Sequence, residues 1–311
     1  MSDILVVGSL NADLVVRAAR FPKPGETISG ENLHVIPGGK GANQAVAAAR
    51  LGGNVSMLGR VGGDNFGDFL LENLKSNHVD TSLIQRDEAS TGTAIIVVDS
   101  NGQNSIVLSA GANGKVTTAD VDRASFPAGG LLLLQLEIPI PTVLRATQRA
   151  RESKTRVILN PAPAQPLPDE LISLTDFLIP NETELSLLTS MDVTDIPSAE
   201  TAAHSLLHRG AKHVIVTLGS KGALIVDKQT STHVDTFPVE VVDTTAAGDA
   251  FIGGFATKLL GSASLLAIPK DQALALQNAV RFGCACGALA TTKFGAQPSL
   301  PTKEELESFL K

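Results

Sequence analysis

The segment that ends at Asp249 has the residue types needed to hold an anion beside a carboxylate. A β-like run at Val239–Val242 leads into small residues and then a predicted helix. The backbone N–H groups of residues 246–248 would therefore point out of the helix N-terminus and bind an anion without a positively charged side chain. Asp249, in the first helical turn, would take a proton from a hydroxyl while the backbone holds the phosphoryl group under attack. The alternative is an ordinary helix start, capped by Thr244 or Thr245.

Polar side chains also follow the first predicted strand and open the first predicted helix. Asn11 and Asp13 come just after a buried strand, at the edge of an α/β sheet where ligands bind. Asn and Asp two positions apart can chelate vicinal hydroxyls, and an Asx turn is equally compatible with this pair. In residues 37–44, glycines that allow close backbone approach accompany Lys40 and Asn43. We expect Asn43 to face the same cleft as Asn11 and Asp13. A flexible strand–helix turn is the alternative.

Three acidic or amide side chains stand where later strands end or helices begin. Glu137 ends an apolar run and would face the cleft at the carboxyl edge of the sheet. Asn181 and Glu184 lie three positions apart at a predicted helix start, so both side chains share one face. A capping arrangement is the simpler interpretation of this pair. The functional alternative is an outer-sphere site for hydrated Mg²⁺.

The elements that must position these residues alternate over most of the chain. From residue 131 onward, apolar runs alternate with helical segments, which predicts a doubly wound, mostly parallel sheet flanked by helices. We expect a single α/β domain over residues 1–311. Short strands with no helix between them, in residues 14–36 (including one at 27–29) and 93–108, predict a small antiparallel β lid. An exposed apolar face on this lid would need a cover, either the cleft beneath or a second subunit.

Composition excludes several classes of function. The net charge is −7 and no run of Lys or Arg stands out, so nucleic acid is disfavoured as a partner. No basic leader or apolar run of about 18 residues is found, so we expect no membrane segment. Cys284 and Cys286 would point to nearly opposite sides of a helix, which disfavours a disulfide. These features fit a cytoplasmic protein, or also a nuclear one in a eukaryote.

Four motifs together resemble a known family. Gly38–Gln44 and Asp243–Asp249 are similar to the two signatures of the ribokinase-like carbohydrate kinases. Asn181–Glu184 resembles the N-x-x-E motif of that family, and Thr217–Gly222 resembles its nucleotide loop. The likeness extends from Val6 to Ser299 with the motifs in family order. It implies a ribokinase-like α/β fold and an ATP-dependent transfer of a phosphoryl group to O5 of D-ribose, giving ribose 5-phosphate.

The resemblance also implies roles for individual residues. Asp249 would be the general base, and the anion hole would be formed by Ala246, Ala247 and Gly248. The residues implied to hold the sugar are Asn11, Ala12, Asp13, Gly39, Lys40, Gly41, Asn43, Glu137 and Asp249. The residues implied to serve the nucleotide are Asn181, Thr217, Leu218, Gly219, Ser220, Lys221, Gly222, Gly248 and Cys284. Mg²⁺ would be supported through water by Asn181 and Glu184. An activating K⁺ site would use Asp243, Thr245, Ala290, Lys293, Gly295 and Ser299.

Two positions depart from the family pattern, and other functions remain open. Ala246 replaces a glycine, which keeps the N–H donor but reduces conformational freedom. Cys284 stands where some relatives carry His near the adenine. One alternative is a sister kinase for 2-deoxyribose, another small sugar or an adenosine-like nucleoside; the absence of Trp and Tyr disfavours a stacked purine as acceptor. Another is a non-catalytic sugar sensor, which retention of Asp249 and Gly248 disfavours. We expect a homodimer formed through the lid.

Overall fold

A large sheet and a smaller one make up the β structure of the computed structural model, which describes residues 3–261 and 269–311. The strands in chain order are β1 (Ile4–Val7), β2 (Asn11–Arg17), β3 (His34–Gly38), β4 (Val55–Gly62), β5 (Asp80–Asp87), β6 (Gly92–Val98), β7 (Asn104–Ser109), β8 (Leu131–Leu134), β9 (Arg156–Leu159), β10 (Phe177–Leu178), β11 (His213–Thr217), β12 (Ala223–Val226) and β13 (Ser231–Val234). The large sheet has the order β13-β12-β11-β10-β9-β8-β1-β4-β5. Its pairs are parallel from β5 to β11, and β12 and β13 add an antiparallel edge. The predicted mostly parallel sheet is confirmed.

Helices cover both faces of the large sheet. They are α1 (Lys40–Arg50), α2 (Asn65–Ser76), α3 (Thr118–Arg123), α4 (Ile140–Glu152), α5 (Asp169–Ser173), α6 (Glu182–Thr189), α7 (Ile196–His208), α8 (Ala247–Leu260), α9 (Pro269–Ala290), α10 (Ala296–Ser299) and α11 (Lys303–Phe309). Successive β1 residues enter different cores, because Ile4 and Val6 pack with α1 and α8 while Leu5 and Val7 pack with α4 and α7. Burial on both faces explains why the central strands are continuous apolar runs.

The helix α9 is long and largely apolar. Within the described part of the chain, it alone is long and apolar enough to cross a membrane, over Gln272–Ala290. However, 56% of that window is buried inside the fold, where α9 packs along α8. Core helices of globular proteins have the same length and composition, so this helix is weak evidence for a membrane segment.

The lid is a four-stranded sheet of order β3-β2-β6-β7. The β2–β3 and β6–β7 pairs are antiparallel, and a parallel β2–β6 pair joins the two chain regions from which the lid was predicted. The strand predicted at residues 27–29 is wrong. That segment is largely exposed, and the nearest strand-like contact is an isolated bridge between Gly30 and Ala18. Without a neighbouring strand, its backbone groups have no ladder to join.

The predicted β-like run before the anion-hole turn is also wrong. Val241 and Val242 are 58% and 62% exposed and lie in a loop. The N–H groups of Val242 and Asp243 both donate to the carbonyl oxygen of Thr291, at 2.8 and 3.1 Å. The segment is therefore fixed by the loop after α9 and not by a neighbouring strand.

Candidate active site

Asp249 lies where the N-termini of α1 and α8 meet, and it is 5% exposed. Asn43 Nδ2 donates to its Oδ2 atom at 2.9 Å, and Gln44 Nε2 donates to its Oδ1 atom at 3.0 Å. Small residues make this contact possible: a Cβ atom on Gly253 of α8 would lie 2.5 Å from the Cβ atom of Ala47. The structure thus brings the predicted base against the predicted sugar-binding Asn43.

The turn before α8 leaves backbone N–H groups available at the helix start. Ala246 is the N-cap residue and adopts a left-handed conformation, with φ 59° and ψ 11°. No side chain caps the helix, so the alternative in which Thr244 or Thr245 caps it is wrong. The N–H group of Ala247 donates to the Thr244 carbonyl oxygen at 3.2 Å, so this predicted anion donor is used within the turn. In the described residues, the N–H groups of Ala246 and Gly248 have no such acceptor.

Four carboxylates, those of Asp13, Glu137, Glu184 and Asp249, and the ammonium group of Lys40 define the charge of the site. Asp13 is buried, and burial raises the pKa of its carboxyl to about 7, with help from the negative charges of Glu137 and Asp249 and against the positive charge of Lys40. For Lys40, burial lowers the pKa but the surrounding carboxylates outweigh it, so the pKa of its ammonium group is raised. This arrangement offers charged acceptors and a charged donor to a ligand rich in hydroxyl groups.

Glu137 connects the sheet edge to both sugar motifs. Its Oε2 atom accepts hydrogen bonds from Ser9 Oγ at 2.5 Å, from the backbone N–H of Lys40 at 3.1 Å and from Asn11 Nδ2 at 3.4 Å. Gly39 has φ 87°, and a Cβ atom there would lie 2.6 Å from the Asn11 nitrogen. A glycine is therefore required for α1 to begin so close to β2.

The structure brings the predicted sugar residues together on β2, at the starts of α1 and α8 and in the loop after β8. Asn11, Ala12 and Asp13 begin β2, so they form part of a lid strand and not an Asx turn. Gly41 lies in the first turn of α1 against Ser9, since a Cβ atom there would be 2.6 Å from the Ser9 nitrogen. The strand predicted to end at Glu137 ends at Leu134, and Glu137 follows in a loop.

The predicted nucleotide loop follows β11 and is a short 3₁₀ turn, Gly219–Lys221. Leu218 is buried, and Gly222 closes the turn with φ 91°. Thr217 pairs with Asn181 in an isolated parallel bridge, so the nucleotide loop and the N-x-x-E motif are neighbours. Together these residues form one edge of the site at the carboxyl ends of β10 and β11.

Asn181 and Glu184 form the capping arrangement that their spacing predicts. Asn181 Oδ1 accepts from the Glu184 N–H at 2.8 Å, and the Glu184 carboxylate accepts from the Asn181 N–H and from its Nδ2, both at 2.9 Å. Burial raises the pKa of Glu184, against the opposing effect of these contacts and of Lys40. Capping therefore accounts for the geometry of the pair and leaves carboxylate lone pairs to accept from water.

The residues implied to bind a monovalent cation lie on two segments that the structure joins. Asp243 Oδ2 accepts from the Gly295 N–H at 2.9 Å, and its Oδ1 accepts from the N–H and hydroxyl of Thr245 at 2.9 and 2.6 Å. Lys293 directs its ammonium group to Glu305 and so leaves only its backbone near this loop. Ala290 and Ser299 flank the loop and are buried. Carboxylate and carbonyl oxygens are the ligands that hard cations take in proteins.

Cys284 and Cys286 are both free thiols on α9. Cys284 is 5% exposed and packs in the core, where burial raises the pKa of its thiol to about 12. Burial also raises the pKa of the Cys286 thiol. Both side chains are therefore small, neutral groups in the core. The two cysteines are not joined to each other, in agreement with their spacing on the helix.

Within the described residues, a pair of clefts reaches the cluster of charged side chains. One of about 350 Å³ lies between the lid and the body, with Asp13, Ile96 and Asp243 among its walls. The other, of about 370 Å³, is lined in part by Asn11 and Glu137. Volumes of this size suit a small ligand.

Sequence reasoning missed three buried amides that support the site. Asn113 Nδ2 donates to Asn11 Oδ1 at 2.7 Å, and Asn113 also exchanges hydrogen bonds with the Leu10 backbone. Gln44 contacts Asp249, and Gln135 contacts Gln44. A signal existed for Gln135, because a lone amide directly follows four leucines of a buried strand. Asn113 stands in a glycine-containing turn and Gln44 at the start of an alanine-rich helix, where a polar residue gives no such signal.

Comparison with known proteins agrees with this geometry. The model of the pfkB family carbohydrate kinases matches residues 1–303. A ribokinase from Haemophilus influenzae is 43% identical over 310 residues, covering 99% of this chain and 98% of that protein. A deoxyribokinase from Salmonella typhi is 40% identical over 312 residues, covering 99% of this chain and 98% of that protein. The structure of Arabidopsis thaliana ribokinase complexed with ribose and ATP is 34% identical, with a TM-score of 0.88, and the match covers 100% of this chain and 99% of that one. The fold is thus ribokinase-like, and the chain belongs to the pfkB family of carbohydrate kinases.

Proposed function

We propose that this protein transfers the γ-phosphoryl group of ATP to O5 of D-ribose and so forms ribose 5-phosphate. The observation that carries the proposal is the position of Asp249. It lies in the first turn of α8 and accepts a hydrogen bond from Asn43 of α1. Relatives named ribokinase, at 43% and 40% identity over nearly the whole chain, support the same sugar. The 34% identical Arabidopsis thaliana ribokinase, whose structure contains ribose and ATP, supports the same phosphate donor.

The sugar would be held by groups that lack partners of their own. Asn43 Oδ1 is buried and has no hydrogen-bond donor among the described residues. Nor does any group in the described part of the chain donate to the Asp13 carboxylate. Two sugar hydroxyls would donate to these oxygens, and the Lys40 ammonium group would donate to a third sugar oxygen. Leaving such buried groups unpaired costs free energy, so a matching hydroxyl pattern gives specificity.

The transfer itself then needs little beyond position and charge. With one amide N–H on each Asp249 oxygen, lone pairs remain to accept the proton of the attacking hydroxyl. That hydroxyl is too weakly acidic to ionise in the ground state, so Asp249 accepts its proton late in the transfer. The free N–H groups at the start of α8 stabilise charge on the transferred phosphoryl group.

We propose that Mg²⁺ and K⁺ assist this reaction. Glu184 and Asn181 would support a hydrated Mg²⁺, which neutralises phosphate charge when bound. The loop around Asp243 would hold K⁺ and so fix the turn that carries the anion-binding N–H groups. Asp243 lies three residues before Ala246 and is held by Gly295, which supports this coupling. We also propose a cytoplasmic location, since the two free, buried thiols are compatible with a reducing compartment.

We propose further that the lid joins two copies of the chain. One row of paired residues crosses the four lid strands and consists of Val35, Leu14, Ile95 and Val107. Val35, Ile95 and Val107 are 41%, 50% and 64% exposed, so the row presents an apolar surface that a second lid would cover. Val107→Glu should give a monomer by light scattering. Leu187→Glu, at an exposed position on α6, is the control and should leave the mass unchanged.

The proposal is tested by ADP release from ATP and Mg²⁺ with ribose, 2-deoxyribose, fructose or adenosine as acceptor, in Na⁺ and then in K⁺ buffer. We expect turnover with ribose that rises in K⁺. Turnover with 2-deoxyribose alone would move the specificity to that sugar, the alternative that the Salmonella typhi relative favours. Ribose binding without turnover of any acceptor would favour a sugar sensor and contradict the proposed reaction.

A further inference from the structure

We propose that Gln44 is a positioning residue for Asp249, and that Gln135 fixes the direction of the Gln44 amide. This inference rests on the proposed function, because it assigns to the amide pair the orientation of the base. Gln44 and Gln135 are both fully buried, on α1 and directly after β8. Neither residue belongs to the sugar or nucleotide contacts implied by the motifs.

Every polar atom of the Gln44 side chain is used. Its Nε2 atom donates to Asp249 Oδ1 at 3.0 Å and to Asn160 Oδ1 at 3.4 Å. Its Oε1 atom accepts from Gln135 Nε2 at 2.5 Å. Asn160 is fixed in turn, since its Nδ2 donates to the Ile179 carbonyl oxygen at 3.0 Å. The chain of amides therefore has one direction, from Gln135 through Gln44 to the carboxylate.

The charge of Asp249 dictates that direction. A carboxylate accepts only, so Gln44 must present its NH₂ group to Asp249 and its oxygen to Gln135. Gln135 must then present its own NH₂ group, which leaves its buried Oε1 atom without a donor among the described residues. An apolar side chain would fill the same space without leaving a buried oxygen unpaired, so packing alone does not explain a glutamine here. Gly8 makes room for it, since a Cβ atom there would lie 2.1 Å from Gln135 Oε1.

The consequence is a carboxylate that cannot rotate. Asn43 holds Oδ2 and Gln44 holds Oδ1, so the plane of the Asp249 carboxylate is set by two adjacent residues of α1. Without Gln44, the carboxylate keeps one donor and can turn about it. Because proton transfer requires a fixed donor–acceptor geometry, loss of Gln44 should reduce turnover more than sugar binding.

The first test is Gln44→Leu, which keeps the size of the side chain and removes its amide. We expect kcat with ribose to fall by about tenfold to a hundredfold while the ribose KM changes by less than about threefold. The other charges that face Asp249 are Asp13 on β2, Lys40 on α1 and Glu184 on α6, and all are retained.

A second variant tests the direction of the amide chain and leaves α1 intact. Gln135→Leu keeps the approximate size of the side chain and leaves Gln44 Oε1 without its donor, so the direction of the Gln44 amide is no longer fixed. We expect the same fall in kcat, with recovery in Gln135→His, whose ring N–H can donate. Thr147→Val, which removes a buried hydroxyl on α4 away from the site, is the control and should keep wild-type kinetics.

Wild-type turnover with ribose is measured first, and its absence would refute the proposed function itself. An active wild type with folded Gln44→Leu and Gln135→Leu proteins of unchanged kcat would overturn the positioning role alone. A rise in KM with unaltered kcat would also overturn it, since that pattern belongs to a sugar contact. Thermal denaturation of each variant establishes that the folded enzyme is being compared.

Discussion

Asp13→Asn should stabilise the sugar-free protein at neutral and alkaline pH. Burial and the charges of Glu137 and Asp249 raise the pKa of Asp13 from 3.8 to about 7, in spite of Lys40. The folded protein therefore binds this proton more tightly than the unfolded chain does. Its contribution to stability is present at low pH and is lost as the pH rises from about 4 to about 7. Asparagine carries no such charge, so the variant should not show this loss.

The size of the effect follows from the change in pKa. At about 1.4 kcal/mol for each pH unit, the difference between 3.8 and about 7 corresponds to roughly 4 kcal/mol. That figure is a ceiling, because the buried site can relax or admit water around the charge. We expect the variant to gain stability relative to the wild type progressively between about pH 4 and pH 7, with a plateau at higher pH.

Urea unfolding at a series of pH values without sugar measures this difference. Asp192→Asn, at an exposed position, is the matched control and should leave the unfolding midpoint unchanged. A stability difference between Asp13→Asn and the wild type that does not vary with pH would refute the reasoning. At pH 8 the same variant should bind ribose at least about tenfold more weakly by calorimetry, since an amide replaces a charged acceptor of hydroxyl protons.

Substitutions at Gly38, Ala246 and Asp249 give further tests of the site. Gly38→Ala places a methyl group 2.1 Å from the Asp13 carboxylate and should raise the ribose KM at least about tenfold, whereas Gly63→Ala meets open space and should not. Ala246→Gly should keep kcat and change the free energy of unfolding by less than about 1 kcal/mol, because glycine relieves the left-handed strain but adds freedom to the unfolded chain. Ala246→Val should lower the melting temperature, because a β-branched residue is strained in that conformation. Asp249→Asn should lower kcat by about a hundredfold to ten-thousandfold while ribose binding persists, and near-normal turnover would remove it as the base.

The sequence predicts the sheet well, because burial on both faces leaves a local signature. Leu131–Leu134 is apolar at every position, and each of its residues is completely buried in a central strand. Short strands without intervening helices predict the lid, and the Asn101–Gly102 pair between β6 and β7 is a residue pair typical of a hairpin turn. Short edge strands such as β13, where only Val234 is buried, carry no such pattern and were missed. The exposed valines at 241 and 242 gave a false strand signal, because hydrophobicity alone does not require a strand.

Local pattern also fails where a role depends on a partner far along the chain. Thr244 and Thr245 look like N-cap residues, yet Thr245 bonds Asp243 and the cap position belongs to Ala246. Gln44 looks like one polar residue in an alanine-rich helix, yet its partner Asp249 is 205 residues away. Composition and spacing identify which residues can do chemistry, whereas the contacts between distant segments decide how each is oriented.

The charge balance of the site links stability to sugar binding. Asp13, Glu137 and Asp249 surround Lys40, and without sugar their repulsion opposes folding as the pH rises. Hydroxyl donors from a sugar would stabilise the charged form of Asp13 and lower its pKa, so sugar binding should release a proton near neutral pH. Calorimetry of ribose binding at pH 7 in two buffers of different ionisation enthalpy would detect this proton as a difference in apparent enthalpy. Equal enthalpies would show that Asp13 is already ionised in the sugar-free protein. Burial would then raise the pKa of its carboxyl less than the surroundings of Asp13 indicate.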